Sequence, residues 1–292
     1  MANSILSYTD AQIMKALLTH NFSEIGGRFE DDVIEAIKAG AFYDATNLTE
    51  VILPSVTVVH PQAFMGASGI QTIDLTWSEI TSIGAQAFYN GWNGLPASIT
   101  LSKLTTLGRA AFAGTSSAKN TKLTSISLPL WTGAAPNAGG FSEGSAGTFE
   151  YCSALTSVNL PEVLNLPYQT FRYCSNLVTV SLPKATSISS NAFAGCSKLE
   201  KIKIGGDIKS LSSSFLPTTT TGTTVLEAFI LSGVTTVPTL DSNFFTRTNI
   251  ANGTAYIYVP SSLLSIFQVA TNWSTYEAQI RSIQDYPSVC NF

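Results

Sequence analysis

The chain has 292 residues, 45% of them apolar and 12% charged, about half the charged share usual in soluble domains. A formal net charge of −4 excludes a basic face for phosphate neutralisation, and with it nucleic-acid binding of that kind. The apolar content excludes an acidic disordered chain, and no apolar run reaches the roughly 18 residues that a membrane span needs. Taken from the start, Met1 to Asp10 carries neither the positive charge nor the apolar run of a secretory leader, and the first basic residue is Lys15. Thr9-Asp10-Ala11-Gln12 has the form of a capping box, and Ile13, Met14, Leu17 and Leu18 follow at helical spacing. Val33, Ile34 and Ile37 predict a second short helix. Residues 1–35 therefore read as a helical N-terminal cap, or as a segment that docks onto a larger assembly.

From residue 36 an internal period takes over, and such a period must be settled before any other reading. Aromatics fall at Phe42, Phe64, Phe88, Phe112, Phe149, Phe171, Phe193 and Phe215, at intervals of 22, 24, 24, 37, 22, 22 and 22 residues. Each is followed by an apolar triplet spaced L-x-x-I-x-L, as in Leu48/Val51/Leu53, Leu155/Val158/Leu160 and Leu177/Val180/Leu182, one residue longer at Leu95/Ile99/Leu101 and degenerate at Leu226/Phe229/Leu231. Pro follows the triplet at Pro54, Pro129, Pro161 and Pro183, and Ile83-Gly84, Leu107-Gly108 and Ile188-Ser189 precede the next Phe. The last two triplet positions alternate with polar residues, the rhythm of a half-buried strand. One such unit cannot bury its apolar side alone, so neighbours must stack into a parallel sheet, with the aromatic turn as the opposite wall. Pro has no N–H to donate, so it ends each strand and opens the turn.

Cys152, Cys174 and Cys196 each lie three residues after a repeat aromatic. Ala45, Ala67, Gly91, Thr115 and Thr218 take that place in the other copies, so it reads as a tight interior slot filled by small hydrophobes. This is a structural thiol ladder, set against a disulfide or metal role, and Cys290 stands outside it. The largest insertion lies at 131–147 and holds Trp131 and Phe141; a smaller one holds Tyr89 and Trp92. Tyr89, Trp92, Trp131 and Phe141 are the candidate binding aromatics, with coverage of an irregular core as the competing role. Outward strand positions, such as Ser125/Ser127, Ser157/Asn159 and Thr179/Ser181, form a carpet of hydroxyls with charge at its ends, Glu50/Asp74 and Lys201/Lys203, and no aromatic stripe. Ala255 to Pro260 reads as a last strand, and Ser261 to Phe267 with the stretch through Trp273, Tyr276, Ile280 and Ile283 as closing helices of a C-terminal cap over 251–292.

Catalytic chemistry finds little purchase. Gly140-Phe141-Ser142-Glu143-Gly144 matches G-x-S-x-G, but a nucleophile elbow needs a strand before it and a helix after it. A hydrolase using Ser142 is accordingly the weakest of the readings. His20 and His60 are the only histidines, and no metal or cofactor motif is present. Sequons begin at Asn21, Asn47, Asn252 and Asn272.

The pattern I-G-x-x-A-F-x-x-C-x-x-L-x-x-I-x-L-P, clearest from Ile188 through Phe193 and Cys196 to Leu199, resembles the BspA-like leucine-rich repeat of cell-surface antigens. The resemblance implies an α/β repeat: a right-handed leucine-rich-repeat solenoid with a parallel concave sheet, a helical N-cap and a strand-helix C-cap. About eight to nine repeats of period 22–24 would occupy 36–250. It also implies a recognition or adhesion module with no catalytic residues and no cofactor. Two settings are expected: a virion, as a phage tail or other structural component touching a host surface, or a bacterial cell surface after removal of a leader. The expected partner is a surface protein or glycan of a host cell, with other virion proteins at the N-terminal segment, and neither nucleic acid nor membrane insertion.

Overall fold

A computed structural model describes residues 27–91, 93–133, 147–212, 215–216 and 225–292. They divide into two compact units, one within residues 27–126 and 147–152, the other within 127–133 and 153–292.

In the first unit the triplets form strands Gly27–Glu30, Leu48–Leu53 and Thr72–Leu75, all parallel, with Phe29, Val51 and Ile73 in one column. The Ile-Gly steps form a second parallel sheet from Ala36–Ile37, Val58–Val59, Ser82–Ile83 and Thr106–Leu107. Rung packing here is close enough to need glycine: a Cβ on Gly84 would sit 2.3 Å from the backbone nitrogen of Pro61. Hydroxyls stitch the same edge, Thr81 donating to the Thr57 carbonyl at 3.1 Å and Thr105 to that of Thr81 at 3.5 Å. This is one use of the chain's many threonines.

The second unit carries a six-stranded sheet in which Ser157–Asn159, Thr179–Leu182, Lys201–Ile204, Ala228–Leu231, Tyr256–Val259 and Ile280–Ser282 follow one another in parallel. Short pairs, Asn165–Leu166 with Ser187–Ile188 and Ser210–Leu211 with Thr239–Leu240, line its second edge. No described helix is long and apolar enough to cross a membrane.

Between sheet and turn lies the core. Phe42, Phe64, Phe88, Phe112 and Phe149 stack with ring centroids 4.9, 5.1, 5.3 and 5.6 Å apart and planes within 9° of parallel. In the second unit Phe171 and Phe193 lie 5.8 Å apart at 4°. These spacings approach the roughly 4.8 Å between neighbouring strands, so each rung contributes one ring to the column. The turn around each Phe bends through left-handed residues two places before it (Gln62, Gln86, Ala110, Gln169, Asn191) and two after it (Asp44, Asn90, Tyr151, Tyr173). In return, the Phe64 and Gly66 amides donate to the next rung's Ala87 and Tyr89 carbonyls at 2.7 and 2.8 Å. The turn wall is thus laddered like the sheet.

Several expectations need correction. Val33, Ile34 and Ile37 do not form a helix: Asp31 Oδ1 accepts the Val33 and Ile34 amides in a local turn, and Ile37 joins the short-strand sheet. A full rung therefore already begins at Gly27, inside the span read as a cap; residues 1–26, with the capping box, lie outside the described residues. The small slot after Phe112 belongs to buried Asn120, not to half-exposed Thr115. Asn120 bridges to Cys152, and its Nδ2 donates to the Phe112 carbonyl at 3.3 Å. The long interval is thus shared between a bulge at 114–119 and a second insertion beyond Trp131. Phe193 donates to the carbonyl of Phe215, where Phe171 donates to that of Ala192. Leu216 therefore takes the aromatic's place in that rung, displaced by the extra residue at Gly205-Gly206. Finally, Ile280 is not helical but opens the last strand of the six-stranded sheet.

Candidate binding surface

Strand alternation turns every second residue of the long strands away from the core, and this outward face differs between the units. In the first, Arg28 pairs with Glu30 at 2.9 Å and with Glu50 at 3.0 Å. Beyond them Thr72, Asp74, Ser98 and Thr100 are exposed. In the second, exposed Ser157 and Asn159 give way to half-buried Lys201 and Lys203, then to buried Ala228, Ile230 and Tyr258. Beyond the outward positions that the repeats supply, the last strands add two aromatics, Tyr256 and Tyr258. Arg281 lies 4.6 Å above the Tyr256 ring, and burial, the larger effect, pushes the Tyr258 hydroxyl pKa up.

The turn edge of the second unit presents the other concentration of aromatics. Tyr168 and Tyr173 flank buried Phe171 and are 40% and 36% exposed. Tyr173 lies against Gly195, where a Cβ would fall 2.3 Å from its Cδ1 and where φ is +76°. The Arg172 guanidinium covers the Tyr173 ring at 4.4 Å and donates to its hydroxyl at 3.1 Å. Asn191 Nδ2 donates to the Tyr168 hydroxyl at 3.5 Å. Two tyrosines are thus propped on the left-handed residues of the next turn, with a guanidinium fixed between the solvent and one ring. The sequence signal for these residues was their place at −3, +1 and +2 of Phe171, outside every core column.

The residues expected at the site scatter. Tyr89 is half-buried on the turn edge of the first unit, and its carbonyl accepts the Gly66 amide. Trp131 is fully buried, so of its two expected roles the core one holds and the ligand-facing one does not. It lies three residues after Leu128, the register of Val56, Leu104, Val163 and Ala185, all buried, so it fills a regular core slot. Trp92, Phe141 and Ser142 lie outside the described residues. Cys152, Cys174 and Cys196 are wholly buried. The Cys152 thiol donates to the Phe112 carbonyl at 3.3 Å and the Cys196 thiol to the Phe171 carbonyl at 3.1 Å. Burial pushes both thiols well above their ordinary pKa, which makes them poor nucleophiles and poor metal ligands. Among the described residues no group of His, Cys, Asp and Glu is placed to hold a metal ion.

Comparison with solved structures finds a leucine-rich repeat protein of T. pallidum at 26% identity, covering 60% of this chain and 79% of that one, with a TM-score of 0.45. A leucine-rich repeat protein from Bacteroides ovatus shares 16% identity over 82% of this chain and 64% of its own, with a TM-score of 0.42. The Drosophila Toll–Spätzle complex matches at 15% identity over 91% of this chain and 38% of that one, with a TM-score of 0.44. No curated protein shows a significant match. The decisive likeness is to a family profile described as a BspA type leucine rich repeat region, matched in six copies over residues 30–129 and 143–276. With the parallel register and the stacked aromatics of each unit, that match places the chain in the BspA type leucine-rich repeat family.

Proposed function

We propose that the protein is a non-enzymatic recognition module that binds a protein or glycan on a host-cell surface, carried there as a virion component. The observation that supports the reading most is the Tyr168–Arg172–Tyr173 cluster. Tyr and Arg are the residue types that dominate binding energy at interfaces, and here they are exposed yet held in place by a cation–π contact, a hydrogen bond and a glycine. Rings fixed before binding lose little conformational freedom on contact. The thiols of Cys152, Cys174 and Cys196 are instead buried in the core.

The same surface would serve a bacterial cell-surface adhesin equally well, so the experiment addresses the surface and not the carrier. Wild-type protein and the Tyr168→Ser/Tyr173→Ser variant are compared for binding to host cells and on a glycan array, with melting temperature as the folding control. A tenfold or greater loss of binding at unchanged melting temperature is expected. Equal binding by both proteins would remove the cluster from the reading, and Phe141→Ala would then test the inserted loop.

A further inference from the structure

The outward face of the second unit's sheet keeps its polar pattern until its last strands, where Ala228, Ile230 and Tyr258 replace the hydroxyls and are buried together with Cys290. Val289 and Cys290 of the segment Tyr286–Phe292 pack against them, together with Ile283 and Tyr256. The segment's turn Pro287–Cys290 closes on itself: the Val289 and Cys290 amides both donate to the Tyr286 carbonyl at 3.2 Å, and the Asn291 amide to that of Pro287 at 3.1 Å. Its ties to the sheet are of another kind. Val289 and Cys290 pack on the apolar strip. Tyr286 meets Tyr258 edge-on at 5.6 Å. Lys203 Nζ donates to the Cys290 carbonyl at 2.7 Å and stands 6.0 Å from the Phe292 ring, at the outer reach of a cation–π contact. Tyr286 and Phe292 remain 40% and 44% exposed.

We infer that this strip is a binding site for a short protein segment, which the chain's own residues 286–292 occupy in cis. The Val289, Cys290 and Asn291 amides of the segment donate within it, and its ties to the strip are side-chain packing and one ammonium–carbonyl bond, as for a separate peptide ligand. A strand added to the sheet would instead share a ladder of backbone bonds. The occupant also defines the ligand class. It is a compact turn with small apolar side chains for Ala228 and Ile230, a main-chain carbonyl left free for Lys203, and an aromatic ring beside that ammonium. A partner protein carrying such a turn displaces residues 286–292 and docks on the same strip. This site is separate from the tyrosine cluster, and its failure would leave the recognition reading untouched.

The test uses the full chain and a fluorescently labelled synthetic peptide of the sequence Tyr286 to Phe292. Val289→Asp weakens the cis occupant, and anisotropy then reads peptide binding. The peptide should bind Val289→Asp at least tenfold more tightly than wild type, and adding Ile230→Asp should abolish that binding. No binding to a folded Val289→Asp protein, or binding that survives Ile230→Asp, would overturn the inference. Should Val289→Asp fail to fold, hydrogen exchange of the wild type decides. Amides of Cys290 and Asn291 should exchange at least a hundredfold faster than those of Tyr256–Val259. Equal protection would mean that the segment leaves only on global unfolding, and the site would not exist.

Discussion

At the residue scale, the buried thiols and the left-handed turn residues give the sharpest tests. Cys152 and Cys196 have folded-state pKa values raised by burial, so the fold favours their protonated form. Their contribution is fully present below the unfolded thiol pKa of about 8.5 and is lost as pH rises above it, at roughly 1.4 kcal/mol per pH unit for each thiol. Urea unfolding should therefore show stability falling between pH 8.5 and about 11. Cys152→Ala/Cys196→Ala should lower stability at pH 7 by about 1 kcal/mol per site and flatten that alkaline slope; an unchanged slope would contradict the buried ladder. Ala110 sits at φ +54° with 1% exposure, a conformation costing an L-residue about 1–2 kcal/mol. Ala110→Gly should raise stability by up to about 1 kcal/mol after the entropic cost of glycine. The same denaturant titration should show Gly195→Ala to be destabilising, since its new methyl would meet the Tyr173 ring.

At the scale of the rung, removing an aromatic should cost more than any surface change. Phe171→Ala opens a void beside Phe193 and should cost about 3–5 kcal/mol, and Trp131→Ala a similar amount. Exposed pairs such as Lys184–Glu162 at 2.7 Å should be worth about 1 kcal/mol or less when broken. The rung itself was legible from the sequence because its two signals, an alternating strand and a period of 22, are independent and agree at Leu177/Val180/Leu182 and Phe171. Register was lost where residues were inserted within a rung. One extra residue at Gly205-Gly206 shifted the aromatic slot from Phe215 to Leu216, and the bulge at 114–119 shifted the small slot from Thr115 to Asn120. Neither shift changes composition, so only hydrogen bonds between rungs reveal it. Trp131 had two readings, and the buried one holds: its register three after Leu128 points to the core, whereas a large aromatic beside a Gly-rich insertion also looks like a ligand contact. Tyr168, Arg172 and Tyr173 escaped because turn residues facing solvent carry no period; what exposes them is the left-handed backbone of the next turn.

Each unit as a whole is a stack in which a rung's polar backbone is satisfied by its neighbour, so its surface is free to vary without disturbing its core. Hydrogen–deuterium exchange read at single amides tests this most directly. Asp44 is exposed and Asn90 half-buried in their turns, and their amides donate to the Met65 and Ala113 carbonyls of the next rung at 2.8 and 3.2 Å. Slow exchange is therefore predicted at Asp44, Phe64, Gly66 and Asn90, comparable to that of the Leu48–Leu53 strand. Exchange at those turn amides as fast as in an unstructured peptide would contradict the stacked-rung account, since exposed turns without a neighbour to bond have no other source of protection.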